Sequence, residues 1–226
     1  MKRNALSPDG ETFVIMDANV LIPPRLSDIL FDLALAGLYY PHWTAEIEAE
    51  FLKNWPIVVG QTIVDVAKAQ HRLSCFRNAI PGYQVLGHMA LIGQVPANVN
   101  AKDRHVAAAG LALRDYSEDN DEVLIVSSNV KDLAKANLAA MGVEVVRPGE
   151  FVDRLYAARS SVVEGAMRQV VGALAKPPYT RDQLLSVLKL HGASATAAGL
   201  EATWRTARQV KKVVDPRARR KPTRRK

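Results

Sequence analysis

Four acidic residues of this chain stand at positions where they could bind a cation. Asp17 interrupts the apolar run FVIMDANVL, Asp132 follows the run EVLIVS, and Glu50 and Asp103 belong to predicted helices. Because open parallel sheets build their sites at the carboxyl ends of strands, we expect these carboxylates to gather there. Gathered carboxylates repel one another unless a cation lies among them, and oxygen ligands without His or Cys favour Mg²⁺ or Mn²⁺. Such an ion is typical of phosphodiester hydrolysis.

Each acid taken alone also has a structural explanation. Asp103 and Asp132 suit the first turn of a helix, where the helix dipole favours negative charge. Asp17 is harder to explain in this way, because an unpaired charge inside an apolar strand is costly. Asn19, two residues later, is predicted to hydrogen-bond the loop and orient the Asp17 carboxylate.

Composition bounds the class of protein. The 226 residues are 48% hydrophobic, enough for one medium domain and an appendage. No apolar run approaches the roughly 20 residues of a membrane span, and we expect no signal peptide. Cys75 is the single cysteine, which excludes an intramolecular disulfide and favours a reducing cytosol.

The positive charge is concentrated at the C-terminus. Residues 208–226 carry ten Lys or Arg and one acid, a net +9, whereas the remainder carries −2. This basic tail, expected to be disordered, is predicted to bind RNA phosphates; a solubility role is equally open. Arg104 is a further candidate phosphate contact. The candidates in the tail are Arg217, Arg219, Arg220 and Lys221.

Strands and helices alternate over residues 1–147, which predicts an α/β fold with a parallel sheet covered on both faces. Ser27, Thr44 and Asn100 are predicted helix N-caps. The predicted strands are residues 13–21, 38–42, 122–127 and 143–146.

Two helices carry further expectations. The helix after Thr44 is predicted to end before Pro56, with Glu46 and Glu48 solvated or capping. The next helix spans residues 60–78. Its predicted buried residues are Ile63, Val66, Ala67 and Leu73.

Only helices are predicted beyond residue 147. A long helix covers residues 148–175, and a capping box formed by Thr180 and Gln183 opens another. Gly192 is predicted to end that helix. We therefore divide the chain into a domain of residues 1–147, a helical extension of residues 148–207 and the basic tail of residues 208–226.

Five runs in order, VIMDANVLIP, WTAEIEAEFLKNW, IPGYQVL, AKDRHVAAAGL and LIVSSNVKDL, resemble the PIN-domain family. The resemblance is closest to the VapC-like ribonuclease toxins of type II toxin–antitoxin systems, in a long form with a helical C-terminal extension. It implies a Rossmann-like three-layer domain with a parallel sheet.

The resemblance also assigns roles to residues. Asn19 and Ser127 match supporting positions, and Asn129 stands where many members have Asp, which leaves the number of metal ions open. His105 is interpreted as lying on another helix face than Asp103, in a structural or substrate-facing role. The implied catalytic residues are Asp17, Glu50, Asp103 and Asp132, and these four with Asn129 are the implied metal ligands.

The function implied by the resemblance is Mg²⁺- or Mn²⁺-dependent hydrolysis of RNA by a toxin. The implied partners are RNA and a small cognate antitoxin protein; a homodimer stays open, and no membrane is involved. Two alternatives also stay open. One is a housekeeping PIN nuclease on RNA or DNA, and the other is a regulator that binds nucleic acid without catalysis.

Overall fold

A four-stranded, all-parallel sheet forms the centre of the protein. The computed structural model describes residues 10–59, 63–173 and 178–214. In spatial order the strands are β2, β1, β3 and β4. Their bounds are β1 Thr12–Met16, β2 Tyr40–His42, β3 Glu122–Val126 and β4 Val143–Val146. The predicted α/β fold class is thus confirmed.

The strands are short because the apolar runs that form them are short. From Val123 to Val126 every side chain of β3 is buried, as expected for a central strand covered on both faces. Met16 is in register with Val126, so β1 and β3 end side by side. The residues that follow these two strands therefore meet at one edge of the sheet, which we call the carboxyl edge.

Nine helices are present among the described residues, besides short 3₁₀ turns. Helix α5 packs on the sheet through small residues, and a Cβ added at Gly110 would lie only 2.9 Å from Ile125 Cδ1. The helices of the first part are α1 Ala18–Leu21, α2 Pro24–Leu35, α3 Ala45–Val59, α4 Ile63–Ala79, α5 Arg104–Tyr116 and α6 Lys135–Ala140. Those of the second part are α7 Pro148–Ala173, α8 Arg181–Leu190 and α9 Ser194–Val214.

The predicted start of the chain is wrong in two respects. Strand β1 ends at Met16 instead of residue 21, because Asp17 is the extended N-cap of α1. Helix α2 begins at Pro24 instead of after Ser27, since proline suits the first helical position. Ser27 lies inside α2, buried, and its hydroxyl donates to the carbonyls of Pro23 and Pro24.

Helices α3 and α4 also depart from expectation. Pro56 lies inside α3, although a proline there removes one helix hydrogen bond. Val66 and Ala67, predicted to be buried in α4, are exposed. Leu73 is buried as predicted, and Ala69 and Phe76 complete the packed face. The side chain of Ile63 lies outside the described part.

The second part packs against the first through α7 and α2, which face each other. Helix α7 is kinked at Arg159, where φ is −144°. Thr180 and Gln183 form the predicted capping box of α8, and Gly192, with φ +89°, turns the chain into α9. No helix in the described ranges has the length and apolarity of a membrane span.

The predicted boundary of the basic tail requires a correction. Helix α9 continues to Val214, so it extends into the first part of the basic tail. Lys and Arg are good helix formers, which allows the helix to extend into the basic region. Residues 215–226 lie outside the described residues, and with them the predicted RNA contacts Arg217, Arg219, Arg220 and Lys221.

Candidate active site

Asp17 lies at the carboxyl edge, directly after β1, and only 4% of its surface is exposed. Its Oδ2 accepts hydrogen bonds from the Ser127 hydroxyl at 2.6 Å and from the Asn19 amide at 2.5 Å. Because Ser127 follows β3, the pairing of β1 with β3 brings the two side chains together.

Asn19 and Ser127 also organise the loop after β3. The Asn19 side-chain carbonyl accepts from the backbone N–H of Ser128 at 2.8 Å, and the Ser127 hydroxyl accepts from the backbone N–H of Asn129 at 2.9 Å. Asp17, Asn19 and the Ser127–Asn129 loop are thus one hydrogen-bonded unit. The two predicted supporting residues lie where they hold the Asp17 carboxylate in place.

A second group of polar side chains includes Asp103 and Asp132. The Asn129 amide donates to Asp132 Oδ2 at 2.6 Å and to Asp103 Oδ2 at 3.4 Å. Lys102 Nζ lies 3.2 Å from Asp132 Oδ2 and 3.9 Å from Asp103 Oδ2. Asn129 and Lys102 therefore bridge these two carboxylates.

Glu50 reaches the same region from α3, where it meets His105. The two side chains approach to 3.8 Å between His105 Nε2 and Glu50 Oε1. That nitrogen is buried and has no hydrogen-bond partner among the described residues. His105, predicted to lie on another helix face than Asp103, therefore faces a different acid, Glu50.

Three of these four carboxylates have pKa values above their ordinary values. Burial raises the pKa of Asp17, and the hydrogen bond from Ser127 offsets only part of this effect. Burial likewise raises the pKa values of Glu50 and Asp103, and the charge of Asp17 adds to both. In contrast, hydrogen bonds from Asn129 and Lys102 hold the pKa of Asp132 below its ordinary value.

Metal binding at this site depends on the arrangement and the chemistry of its carboxylate donors. Within the described ranges, no three His, Cys, Asp or Glu side chains converge as a set that could hold one. The chemistry of the donors nevertheless fits a hard cation, since Asp17, Glu50 and Asp103 supply carboxylate oxygens and influence one another electrostatically. An ion among them would relieve the repulsion that raises the pKa values of Glu50 and Asp103.

Glu48 lies one turn from the site and has a structural role. It is buried, not solvated as predicted, and its carboxylate accepts from the Trp43 indole at 3.0 Å and from the Arg77 guanidinium. Glu46 is half-buried, with Oε2 3.0 Å from His88 Nε2. Thr44 accepts from the backbone N–H of Ile47, as predicted for an N-cap.

The structure favours Arg147 over Arg104 as a candidate phosphate contact. The guanidinium of Arg104 donates to the carbonyls of Ile92, Val95 and Pro96, so its donors are used to hold the loop before α5. Arg147 was missed, although it directly follows β4 and is exposed at the carboxyl edge. The signal that singled out Asp17, a charged residue directly after an apolar strand, also applies to Arg147.

The parallel sheet and the acidic carboxyl edge are consistent with a PIN-like three-layer domain that carries a helical C-terminal region. Residues 148–202 match the family model of the VapC50 C-terminal domain. The match supports a VapC-like toxin with a C-terminal extension, as the sequence motifs predicted, and its first residue, Pro148, begins α7. It does not extend over the PIN-like part. No curated protein and no solved structure matches the chain.

Proposed function

We propose that this protein is a metal-dependent endoribonuclease, the toxin of a toxin–antitoxin pair. The observation that carries the proposal is the buried Asp17 carboxylate at the carboxyl edge, whose charge helps to raise the pKa values of Glu50 and Asp103. Carboxylates that lack positive charge at the end of a parallel sheet suit Mg²⁺ or Mn²⁺. The match to a VapC50-type C-terminal domain supports the toxin class.

The residues that would hold the metal are Asp17, Glu50 and Asp103, together with Asp132 and Asn129. When bound, Mg²⁺ lowers the pKa of a water molecule and polarises the phosphoryl oxygen. Asp17 would be kept in position by Ser127 and Asn19 through the hydrogen bonds that they donate. In-line attack of water on the phosphorus would leave a 3′-hydroxyl and a 5′-phosphate.

Asp132 has a separate role in this proposal. Hydrogen bonds from Asn129 and Lys102 hold its pKa below the ordinary value of an aspartate. Asp132 therefore stays ionised more readily than the other three carboxylates, whose pKa values are raised. It would orient the attacking water or a further ion together with Asn129. Lys102, which is largely exposed, would leave the carboxylates when a divalent cation arrives and could then contact a phosphate oxygen.

The proposed organisation follows from this site. Residues 1–147 form the nuclease domain, residues 148–207 form the extension and the basic C-terminus attracts RNA in the cytoplasm. A small antitoxin would neutralise the enzyme by placing an Arg or Lys side chain among the carboxylates.

A cleavage assay tests the proposal. The purified protein should cleave RNA with Mg²⁺ or Mn²⁺, and EDTA should stop the reaction. Asp17→Asn and Asp103→Asn should abolish cleavage, whereas the matched control Asp119→Asn, which changes an exposed acid away from the site, should cleave normally. Undiminished cleavage by Asp17→Asn would contradict the mechanism.

Expression in a bacterial host separates the toxin from its alternatives. The wild-type chain should arrest growth and Asp17→Asn should not. An active nuclease that leaves growth unchanged at high expression would favour a housekeeping enzyme. Nucleic-acid binding without any metal-dependent cleavage would favour the non-catalytic regulator.

A further inference from the structure

A cavity of about 500 Å³ joins the carboxyl edge of the sheet to the helical extension. On the sheet side it is lined by Arg147, which directly follows β4, and by the first turns of α7. On the other side it is lined by His191 and Gly192, in the turn between α8 and α9. Six of its seven lining residues therefore belong to the extension, and Arg147 connects the cavity to the carboxyl edge.

Of the two arginines that line this cavity, Arg147 has no carboxylate partner among the described residues. The other, Arg154, is held between Glu144 at 2.7 Å and Glu150 at 2.6 Å. Arg147 makes one hydrogen bond, from its guanidinium to the Ser128 carbonyl at 3.3 Å. A guanidinium with most of its donors free is well suited to a phosphate group.

The acidic residues of the cavity already have hydrogen-bond partners. Glu150 pairs with Arg154. The carboxylate of Asp153 accepts from the backbone N–H groups of Ala195 and Thr196, at 3.1 and 2.8 Å, at the start of α9. Arg147 keeps most of its donors free, so an anion is expected at its guanidinium.

The sheet places Arg147 at a defined distance from the proposed catalytic centre. Strands β1, β3 and β4 are consecutive, and neighbouring strands lie about 4.8 Å apart. The end of β4 is therefore roughly 10 Å from Asp17 along the carboxyl edge. Ser128, whose carbonyl Arg147 contacts, belongs to the loop that also holds Asp17. A short stretch of single-stranded RNA covers this span.

We propose that Arg147 binds a backbone phosphate of the RNA substrate beside the scissile bond, and that the adjoining nucleotide occupies the cavity against the α8–α9 turn. This inference rests on the proposed function, since it extends the same site. In this inference the C-terminal extension takes part in substrate binding, because its turn at His191 and Gly192 contacts the nucleotide.

Binding measurements test the inference without catalysis. Full-length Asp17→Asn protein in EDTA is titrated with labelled single-stranded RNA by fluorescence anisotropy over a range of salt concentrations. Adding Arg147→Ala should weaken binding at low salt and reduce the log–log salt slope by about 0.7, the value for one lost phosphate contact on a single strand. Arg147→Lys should keep the slope. The matched control is Arg168→Ala, which removes an exposed arginine from the far half of α7 and should change neither quantity.

Oligonucleotide length and kinetics provide a second readout. RNA too short to reach the cavity should bind equally well to protein with and without Arg147→Ala, and only longer RNA should show the loss. In the active enzyme, Arg147→Ala should raise KM more than it lowers kcat. Its Mn²⁺ affinity should stay unchanged, because the metal ligands remain.

The outcomes separate this inference from the proposed function. If wild-type protein cleaves RNA but Arg147→Ala binds like Arg168→Ala at every length, the phosphate site at Arg147 is wrong and the nuclease stands. If wild-type protein never cleaves RNA, the proposed function fails, whereas the binding series still shows whether Arg147 contacts RNA. Absence of RNA binding by the Asp17→Asn protein would overturn the inference.

Discussion

Ser127 donates its hydroxyl hydrogen to the carboxylate of Asp17 at 2.6 Å, across the junction of β1 and β3 and 110 residues apart in the chain. The same Ser127 oxygen accepts from the Asn19 amide and from the backbone of Asn129. The buried Ser127 hydroxyl therefore connects the candidate metal ligand Asp17 to the loop that carries Asn129, another candidate ligand.

Removal of that hydroxyl should weaken both the fold and the metal site. Ser127→Ala leaves a buried carboxylate and a backbone N–H each short of one partner, at a cost of about 1–3 kcal/mol in the free energy of unfolding. Urea denaturation measures this cost, and Mn²⁺ titration should show weaker binding. Ser127→Thr, which keeps the hydroxyl, serves as the control. Equal stability of the alanine variant would show that the hydrogen bond contributes nothing.

Asp17 should make the metal-free protein less stable at neutral pH than at mildly acidic pH. Its pKa is higher in the folded chain than in the unfolded chain because burial disfavours the charged form. Protonation therefore favours folding, and the contribution of this residue to stability increases as the pH falls through its folded pKa.

Asp17→Asn should remove this pH dependence. The variant should be as stable as wild type or more stable in EDTA at pH 7, and Asp119→Asn should behave like wild type. Thermal unfolding measured across about pH 4–8 tests this, because an aspartate with a raised pKa titrates roughly within that range. The prediction would be wrong if acidification made the wild-type protein less stable relative to Asp17→Asn.

Asn129→Asp should have opposite effects without and with metal. Asn129 donates to both Asp103 and Asp132, so a carboxylate in its place loses two hydrogen bonds and adds repulsion. The metal-free variant should be less stable, but it should bind Mg²⁺ more tightly because it adds a ligand charge. Calorimetric titration and thermal unfolding measure the two effects.

Asp132 and Asn129 can be ranked in the same way. Asp132→Asn should lower activity more than Asn129→Ala when both are assayed at one metal concentration, because only the former removes a charge. The reverse order would mean that the last proposed ligand is misassigned.

Glu48 and Arg77 should contribute stability that depends on pH in the opposite sense from Asp17. Burial raises the pKa of Glu48, but the hydrogen bonds from Arg77 and Trp43 outweigh it and hold the pKa below its ordinary value. The stabilisation is complete above the unfolded pKa of Glu48 and is lost as the pH falls through the folded pKa.

Glu48→Gln should therefore lower stability by about 1–3 kcal/mol at pH 7 and by less at pH 3. Glu164→Gln, which breaks an ion pair with the exposed Arg168, should cost less than about 1 kcal/mol and is the control. Chemical denaturation at the two pH values gives both numbers. A larger loss at pH 3 than at pH 7 would rule out the ionised pair.

Truncation after Val214 should weaken RNA binding at low salt and make its salt dependence shallower, because log affinity falls with log salt by about 0.7 per phosphate contact. Cleavage at saturating RNA should change little. A salt slope that stays the same would assign the tail a solubility role. The deleted basic residues are Arg217, Arg219, Arg220, Lys221, Arg224, Arg225 and Lys226.

Local sequence determined much of this protein. Short apolar runs define the strands, since only a sheet covered on both faces buries a run such as EVLIV. Thr44 and the Thr180–Gln183 box cap their helices through side chains that act within three residues. Asn100 acts in the same way, but it caps the 3₁₀ turn before α5 and not α5 itself. The placement of Asp17 after an apolar strand predicted its position at the carboxyl edge, where the candidate site lies.

The tertiary structure decided which charged side chain faces which partner. Glu48 is buried because Trp43 and Arg77, distant in sequence, supply its hydrogen bonds. Arg104 turns towards the loop carbonyls before α5, and Arg147 is left free at the end of β4. The orientation of a long charged side chain depends on the polar groups that folding brings near it. Periodicity in the sequence does not predict which groups these are.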